Sequence, residues 1–475
     1  MTRRGSRFTR LLAVFLGLAL LAGACGNDDE TDVVGADPPA ETTEPDGDNG
    51  DVDDEHPGGA TDIGVTEDTI RVAQIVSQSG VNAAGHEGFE KGFQVYVEEL
   101  NERGGVHGRT IEIVDTLDDQ SDPARNSELF RRVGDDVFTV VGSWPSFGGA
   151  EFARDNLIPV AGAAYADGWH LAENFFGVTA GTWVAEDIND RPTPPPTAVD
   201  AYIMEKQGDT LAGTFGYTQA ASAGAAETAC DRINDFNDIG VECVYTDTSL
   251  EFGFTDLGAS IAAIQDSGAT HFYAGMDIGG CVTIMRSFLR AGMDDVTLRC
   301  AVGYGTETIE DFGEFIENMY ILLDTQPFDG DHPEIQRFVE ELTTRMPGED
   351  PSTTILNGWL AGIFLEDVLT ELGPNVTRER FVETVRSAEP FTAWDGRGII
   401  GAIDYTVNRH EQVAAGTWEP DPDLCAGILL RPDVDNVEWV QVGQQPQLCL
   451  AGIQDGAELR ERMADDDSSL EIDGS

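Results

Sequence analysis

Lysine is nearly missing. The 475-residue chain has 28 basic residues, but lysine stands only at Lys91 and Lys206, against 87 carboxylates and a formal charge of −59. A nucleic-acid partner needs a basic footprint, and this composition excludes one. Such a negative surface serves solubility. It would also stay hydrated in high salt, and by itself it supports no claim about a cationic ligand. Catalytic signatures are missing too: there is no G-x-S-x-G elbow, no G-x-x-x-x-G-K-[ST] loop, no H-E-x-x-H, and no G-x-G-x-x-G after the first strand. These absences argue against hydrolases, P-loop enzymes, zinc proteases and dinucleotide enzymes, so no enzyme activity is expected. With no C-x-x-C and seven scattered histidines, neither a metal centre nor a cofactor is expected.

Long apolar runs are also scarce, and the one near the start carries information. Arg3, Arg4, Arg7 and Arg10 precede LLAVFLGLALLAG, and small residues lead to Cys25. A cationic start, an apolar middle and small residues make an export signal. The run is short of the roughly 20 apolar residues a spanning helix needs. Small residues before a cysteine resemble a bacterial lipobox, in which cleavage leaves that cysteine first and its thiol carries diacylglycerol. Ala22 stands where that motif usually has leucine, with Leu21 one place earlier. The alternative is an ordinary cleaved signal with an incidental cysteine. Residues 1–24 are thus read as a lipoprotein signal peptide and Cys25 as the lipidated residue.

Seven cysteines is an odd number for an exported chain. With Cys25 set aside, Cys230, Cys243, Cys281, Cys300, Cys425 and Cys449 remain, and outside the cytosol such cysteines persist as disulfides. Sequence alone does not choose among their connectivities. Pairing of nearest neighbours is expected because it closes short local loops. From Cys25 to residue 65 the chain has no aromatic residue and no Lys or Arg, but many carboxylates, prolines and glycines. It cannot bury enough apolar surface to offset its ordering entropy, which predicts a disordered tether. About 40 flexible residues give a reach of roughly 35 Å.

From Thr66 the pattern changes. TIRVAQIV reads as a strand, GHEGFEKGFQVYVEELNERGG as a helix with Phe89, Phe93, Tyr96, Val97 and Leu100 on one face, and RTIEIVDTLDD as a strand. DPARNSELFRRVG is a helix opened by Asp122 and Pro123. VFTVVGSW, SFGGAEFARDN and LIPVAGA continue the alternation. After a proline-containing stretch near 183–197 it starts again, from DTLAGTFGY to TLRCAVGY. Strands alternating with helices indicate parallel sheets. The class is α/β, with two doubly wound parallel-sheet domains; one larger sheet interrupted by a long loop is the alternative.

The stretch GVTEDTIRVAQIVSQSGVNAAGHEGFEKGFQVYVEELNERGGVHGRTIEIVDTLDDQSDPARN closely resembles the opening of the leucine/isoleucine/valine-binding protein family, type I periplasmic binding proteins that serve ABC importers. The pattern is a strand ending in S-G, a helix ending in N-x-x-G-G-V-x-G-R, a strand, then D-x-x-x-D-P. The resemblance continues more weakly over residues 64–455, while Pro194–Pro196 and the segment after Glu411 look like elaborations. It implies two lobes joined by a multi-strand hinge, with crossings near 183–197, 322–330 and 389–396. The expected organisation is a first lobe of 66–182 plus 330–388, a second of 198–321 plus 397–455, and an acidic tail at 456–475.

The resemblance also implies a solute site at the loops after the strands. In the first lobe it points to Trp144 as a wall, Ser146 and Phe147 near a helix start, then Ala163, Ala164 and Tyr165, the last where Ser or Thr is common. In the second it points to Tyr217, Met276 and Asp277, with Tyr304 where amino-acid-binding members often present a carboxylate. Glu307 follows three residues later. Either Asp277 supplies the missing charge or the ligand lacks an α-amino group. His107, in the turn GGVHGR, is read as a turn residue. The implied function is capture of a small polar solute, an amino acid or a related amide or carboxylate. Delivery would be to an ABC permease and its ATPase, by a monomer lipid-anchored on the outer face of the cell membrane. A sensory or adhesion module that reports solute without transport is the alternative.

Overall fold

The computed structural model describes residues 60–80, 83–163, 169, 172–178, 198–323, 325–387, 427–445, 448–450, 453 and 455–472. The signal segment, Cys25, nearly all of the tether, the crossings near 183–197 and 389–396, Ala164, Tyr165 and Cys425 lie outside the described residues.

The chain builds two sheets in succession. The first contains β1 (Thr69–Val76), β2 (Thr110–Asp118), β3 (Thr139–Ser143), β4 (Val160–Ala163) and β5 (Phe175–Gly177). Its order is β2-β1-β3-β4-β5, with every pairing parallel. Helices α1 (Phe89–Glu102), α2 (Pro123–Val133) and α3 (Ala150–Asp155) connect these strands. After α4 (Val199–Gln207) comes the second set: β6 (Leu211–Tyr217), β7 (Glu242–Leu250), β8 (His271–Gly275), β9 (Thr297–Cys300) and β10 (Met319–Leu323). Between them run α5 (Ala220–Asn234), α6 (Ser260–Ser267), α7 (Ile278–Arg290) and α8 (Thr306–Ile316). The parallel part runs β7-β6-β8-β9-β10, the same order as in the first sheet. An antiparallel pair, β11 (Ile428–Asp433) and β12 (Glu438–Gln441), extends it beyond β10.

Both faces of each sheet are covered, which is why inner strands such as β3 and β4 are buried throughout, while the edge strands β2 and β7 are partly exposed. On one face of the first sheet, α1 shares one core with α9 (Pro333–Arg345), α10 (Thr353–Leu372) and α11 (Arg378–Ser387). The opposite face packs α2 and α3 around Phe130, Trp144 and Phe147. The second sheet likewise has a core on α7 and α8 and another on α4 and residues 448–472.

Three sequence signals have clear physical roles. Asp122 caps α2, accepting a hydrogen bond from Arg125 N at 2.7 Å, with Pro123 in the first turn. The G-G-V-x-G-R turn has positive φ at Gly104, Gly105, His107 and Gly108, on either side of Val106, and sends Arg109 inward. There Arg109 donates to Thr66 O at 2.8 Å and Pro374 O at 2.7 Å, joining the start of the sheet to the end of α10. In the same turn a His107 ring nitrogen lies 3.0 Å from Leu369 O near the end of α10. The cysteine pairs Cys230–Cys243 and Cys281–Cys300 form as nearest neighbours. Cys449 is also disulfide-bonded, and its expected partner Cys425 lies outside the described residues.

The segment expected as an acidic tail, 456–475, is packed against the rest of the chain through residue 472. It forms α12 (Gly456–Arg462) and buries Leu459 and Leu470 against α4. Tyr202 donates to Asp466 at 2.8 Å, and Lys206 donates to Asp466 O and Ser468 O, each at 2.9 Å. The acidic residues dominate the composition, but the few apolar ones decide the packing.

Helices α1 and α10 touch backbone to backbone. A Cβ at Gly92 would lie 1.7 Å from Ile355 O, and one at Gly358 would lie 1.9 Å from Phe89 O. Gly358→Ala is therefore expected to lower unfolding free energy by about 1–3 kcal/mol through overpacking. Chemical denaturation measures this, and an unchanged midpoint would contradict so close a contact.

Candidate functional site

In open parallel sheets, ligands bind outside the carboxyl ends of the strands where the strand order reverses. Here that occurs twice, between β1 and β3 and between β6 and β8.

At the second reversal, β6 ends on Tyr217 and β8 leads into Met276 and Asp277. Tyr217 donates its hydroxyl to Asp277 Oδ1 at 2.6 Å, spanning the gap. The same oxygen accepts from Gly280 N at 2.9 Å, so Asp277 also caps α7. The packing is tight: a Cβ at Gly280 would lie 2.4 Å from the Tyr217 hydroxyl. Burial, then the bond and the charge of Asp277, push the Tyr217 pKa up, so its proton stays on the phenol. One turn into α7, Cys281 is bonded to Cys300 at the end of β9, which fixes the helix start against the sheet. Phe252 and Phe254, in the loop after β7, lie 5.3 Å and 6.3 Å from the Tyr217 ring.

At the first reversal, Ser77 follows β1 and Ser143 closes β3, with Ser77 N donating to Ser143 O at 3.0 Å. His86 Nδ1 shares a hydrogen bond with Ser143 Oγ at 2.8 Å. Burial lowers the His86 pKa to about 4, keeping the imidazole neutral. Ser77 donates to Asp119 at 2.5 Å, and Asn126 donates to the other Asp119 oxygen at 2.8 Å. Asn126 Oδ1 in turn accepts from Gly149 N at 2.9 Å, ordering the loop after β3. Burial raises the Asp119 pKa against these hydrogen bonds. Ser79, further out, donates to Asp118.

The model of the periplasmic binding protein family matches residues 69–417. The chain belongs to the periplasmic binding protein family. Solved structures share the fold of this periplasmic binding protein at low identity. A fatty acid ABC transporter substrate-binding protein from Thermomonospora curvata has TM-score 0.61 and 18% identity, covering 81% of this chain and 94% of its own. A solute-binding protein from R. palustris in complex with benzoate has TM-score 0.59 and 18% identity, covering 82% and 99%. A leucine-binding protein from Thermotoga maritima has TM-score 0.59 and 18% identity, covering 78% and 97%. A search of curated proteins returns no match.

Against this background the sequence-derived residues divide into two groups. Tyr217, Met276 and Asp277 converge on one edge, and half-buried Ser146 lies after β3 with no hydrogen-bond partner among the described residues. Trp144 and Phe147 instead belong to the core beneath the edge. Trp144 is fully buried, stacked on Trp169 at 5.5 Å and crossed by Phe130 at 5.7 Å. Phe147 lies 4.8 Å from Phe175. Ala163 is also fully buried at the end of β4, while Ala164 and Tyr165 fall outside the described residues. Tyr304 faces the segment after β10: its hydroxyl accepts from Phe328 N at 3.0 Å and lies 3.3 Å from Asp329 Oδ1. It therefore ties the second sheet to the chain returning to the first. Glu307 is fully exposed, its pKa raised chiefly by Asp350.

Sequence reasoning missed His86, Ser77, Ser143, Phe252 and Phe254. The loop after β7 carries the available signal, since EFGFTD puts two aromatics directly after a strand. His86 had none, because its partner lies 57 residues away.

The lowered His86 pKa sets the sign of a pH effect. Between about 6.5 and about 4 the unfolded chain takes up a proton that the folded chain refuses, so stability falls as pH falls through that window. The ceiling is on the order of 3 kcal/mol. His86→Gln is expected to flatten this part of the stability profile in denaturant titrations from pH 7 to 4; an identical slope in the variant would contradict the assignment.

Proposed function

We propose that the protein is an extracytoplasmic solute-binding lipoprotein of an ABC importer, which captures a small solute between its two lobes and delivers it to a membrane permease. The observation that carries this reading is the repeated strand order, with convergent polar groups at both reversal points. Hinge closure between two such lobes brings their strand ends onto one ligand and excludes water. The fold relatives, named for a fatty acid, benzoate and leucine, are chemically unlike one another, so the ligand class must come from this chain's own residues. Ser146 is proposed as a first-lobe contact, and Tyr217 and Asp277 as the second-lobe contacts. No catalytic role is assigned to any of them. Lipid on Cys25 would hold the protein at the outer face of the membrane, with the acidic tether giving it room to reach the permease.

Binding to the native state raises apparent stability by mass action. A melting screen against amino acids, amides, fatty and aromatic acids and alkylated amines is expected to yield at least one stabilising solute. Ser146→Ala should weaken that solute about 3- to 100-fold, the range for one lost hydrogen bond, and Tyr217→Phe, which releases the Asp277 carboxylate that the hydroxyl holds, should weaken it as well. Unaltered affinity in both variants would contradict the placement of the site. Cys25→Ser should shift the protein from membrane to soluble fractions without unfolding it, and membrane retention would contradict lipid anchoring.

A further inference from the structure

The edge of the second lobe has a chemical character of its own. Strand order places the loops after β8, β6 and β7 side by side. They bring together a carboxylate and three aromatic rings. Phe252 meets the Tyr217 ring at 56° and Phe254 meets it at 69°, so the rings form a corner rather than a flat stack. Phe252 is left 43% exposed. Asp277 Oδ1 is held by Tyr217 and Gly280, while Oδ2 has no hydrogen-bond partner among the described residues. Glu251 accepts from Thr218, next to Tyr217, at 3.3 Å. Among the described residues, neither Asp277 nor Glu251 pairs with an arginine, lysine or histidine.

We propose that this corner binds an alkylated ammonium group of the solute. The proposal rests on the solute-binding reading and specifies its ligand class. A cation over aromatic faces is attracted by the ring quadrupoles, more strongly once water is excluded. The open oxygen of Asp277 adds charge complementarity. An unsubstituted ammonium presents three donors that each need an acceptor when buried, and the corner offers mostly ring faces. A methylated ammonium has no such demand, and its methyl groups contact the rings. A neutral apolar group would instead cover the Asp277 carboxylate without neutralising it, which is costly. The attraction comes from this local arrangement and not from the overall negative charge.

Calorimetry with choline, its neutral isostere 3,3-dimethylbutan-1-ol, and ethanolamine separates charge from methylation. Choline is expected to bind about tenfold or more tighter than either comparator. Asp277→Asn retains an acceptor for Gly280 N and Tyr217 while removing the charge, and Phe252→Leu removes one ring; each should weaken choline about tenfold. Equal binding of the neutral isostere, or tighter binding of ethanolamine, would overturn the proposal. If none of the three binds while another solute stabilises the protein in the wider screen, the ammonium proposal fails and the solute-binding reading stands. If nothing in the wider screen binds, both fail.

Discussion

A parallel sheet covered by helices on both faces leaves its strand ends as the natural place for a ligand. Their backbone groups lack further ladder partners, and the loops that follow are free to diverge. In each lobe the strand order reverses beside the first strand, so the loops separate there. The fold thus creates two such places before any side chain is chosen. Tyr217 and Asp277 are hydrogen-bonded to each other at one reversal, and Ser77, Ser143 and His86 are joined at the other.

The opposite end of the second sheet shows how differently a structural polar cluster is built. There Asp200, at the start of α4, accepts from Arg299 at 2.8 and 2.6 Å, and His271 Nε2 lies 3.0 Å away. The other ring nitrogen of His271 meets Thr297 at 3.0 Å. Burial alone would raise the Asp200 pKa, but Arg299 and His271 hold it well below the ordinary carboxylate range. Every charge in that group has its counterpart inside the protein, as a buried ion network requires. At the carboxyl end, by contrast, Asp277 Oδ2 and Ser146 have no hydrogen-bond partner among the described residues. That difference separates a cluster that holds the lobe together from one suited to an incoming molecule.

The strands, the helix starts and two disulfides were readable in the sequence because each depends on local signals: β-branched runs, Asp122–Pro123 and short cysteine separations. Tyr217 and Asp277 were named from the family resemblance, and the structure puts them together at the strand ends of the second sheet. The packing of Trp144 and Phe147 was not readable, because an aromatic after a strand points either outward or under the next helix, and here both lie against Phe130, Trp169 and Phe175, which are distant in sequence. His86–Ser143 and the docking of the chain's end on α4 depend on contacts distant in sequence, which composition and periodicity do not encode. The acidic residues of that last segment concealed Leu459 and Leu470, which anchor it.

The central claim is that the lobes close on a solute through their strand ends. The most direct measurement is a label-to-label distance distribution between one exposed residue on each lobe, such as Glu151 and Glu310, with and without a stabilising solute. Closure predicts that saturating solute changes the mean separation and narrows the distribution, and that Tyr217→Phe requires more solute for the same change. A distribution unaltered by a solute that demonstrably binds would contradict the account.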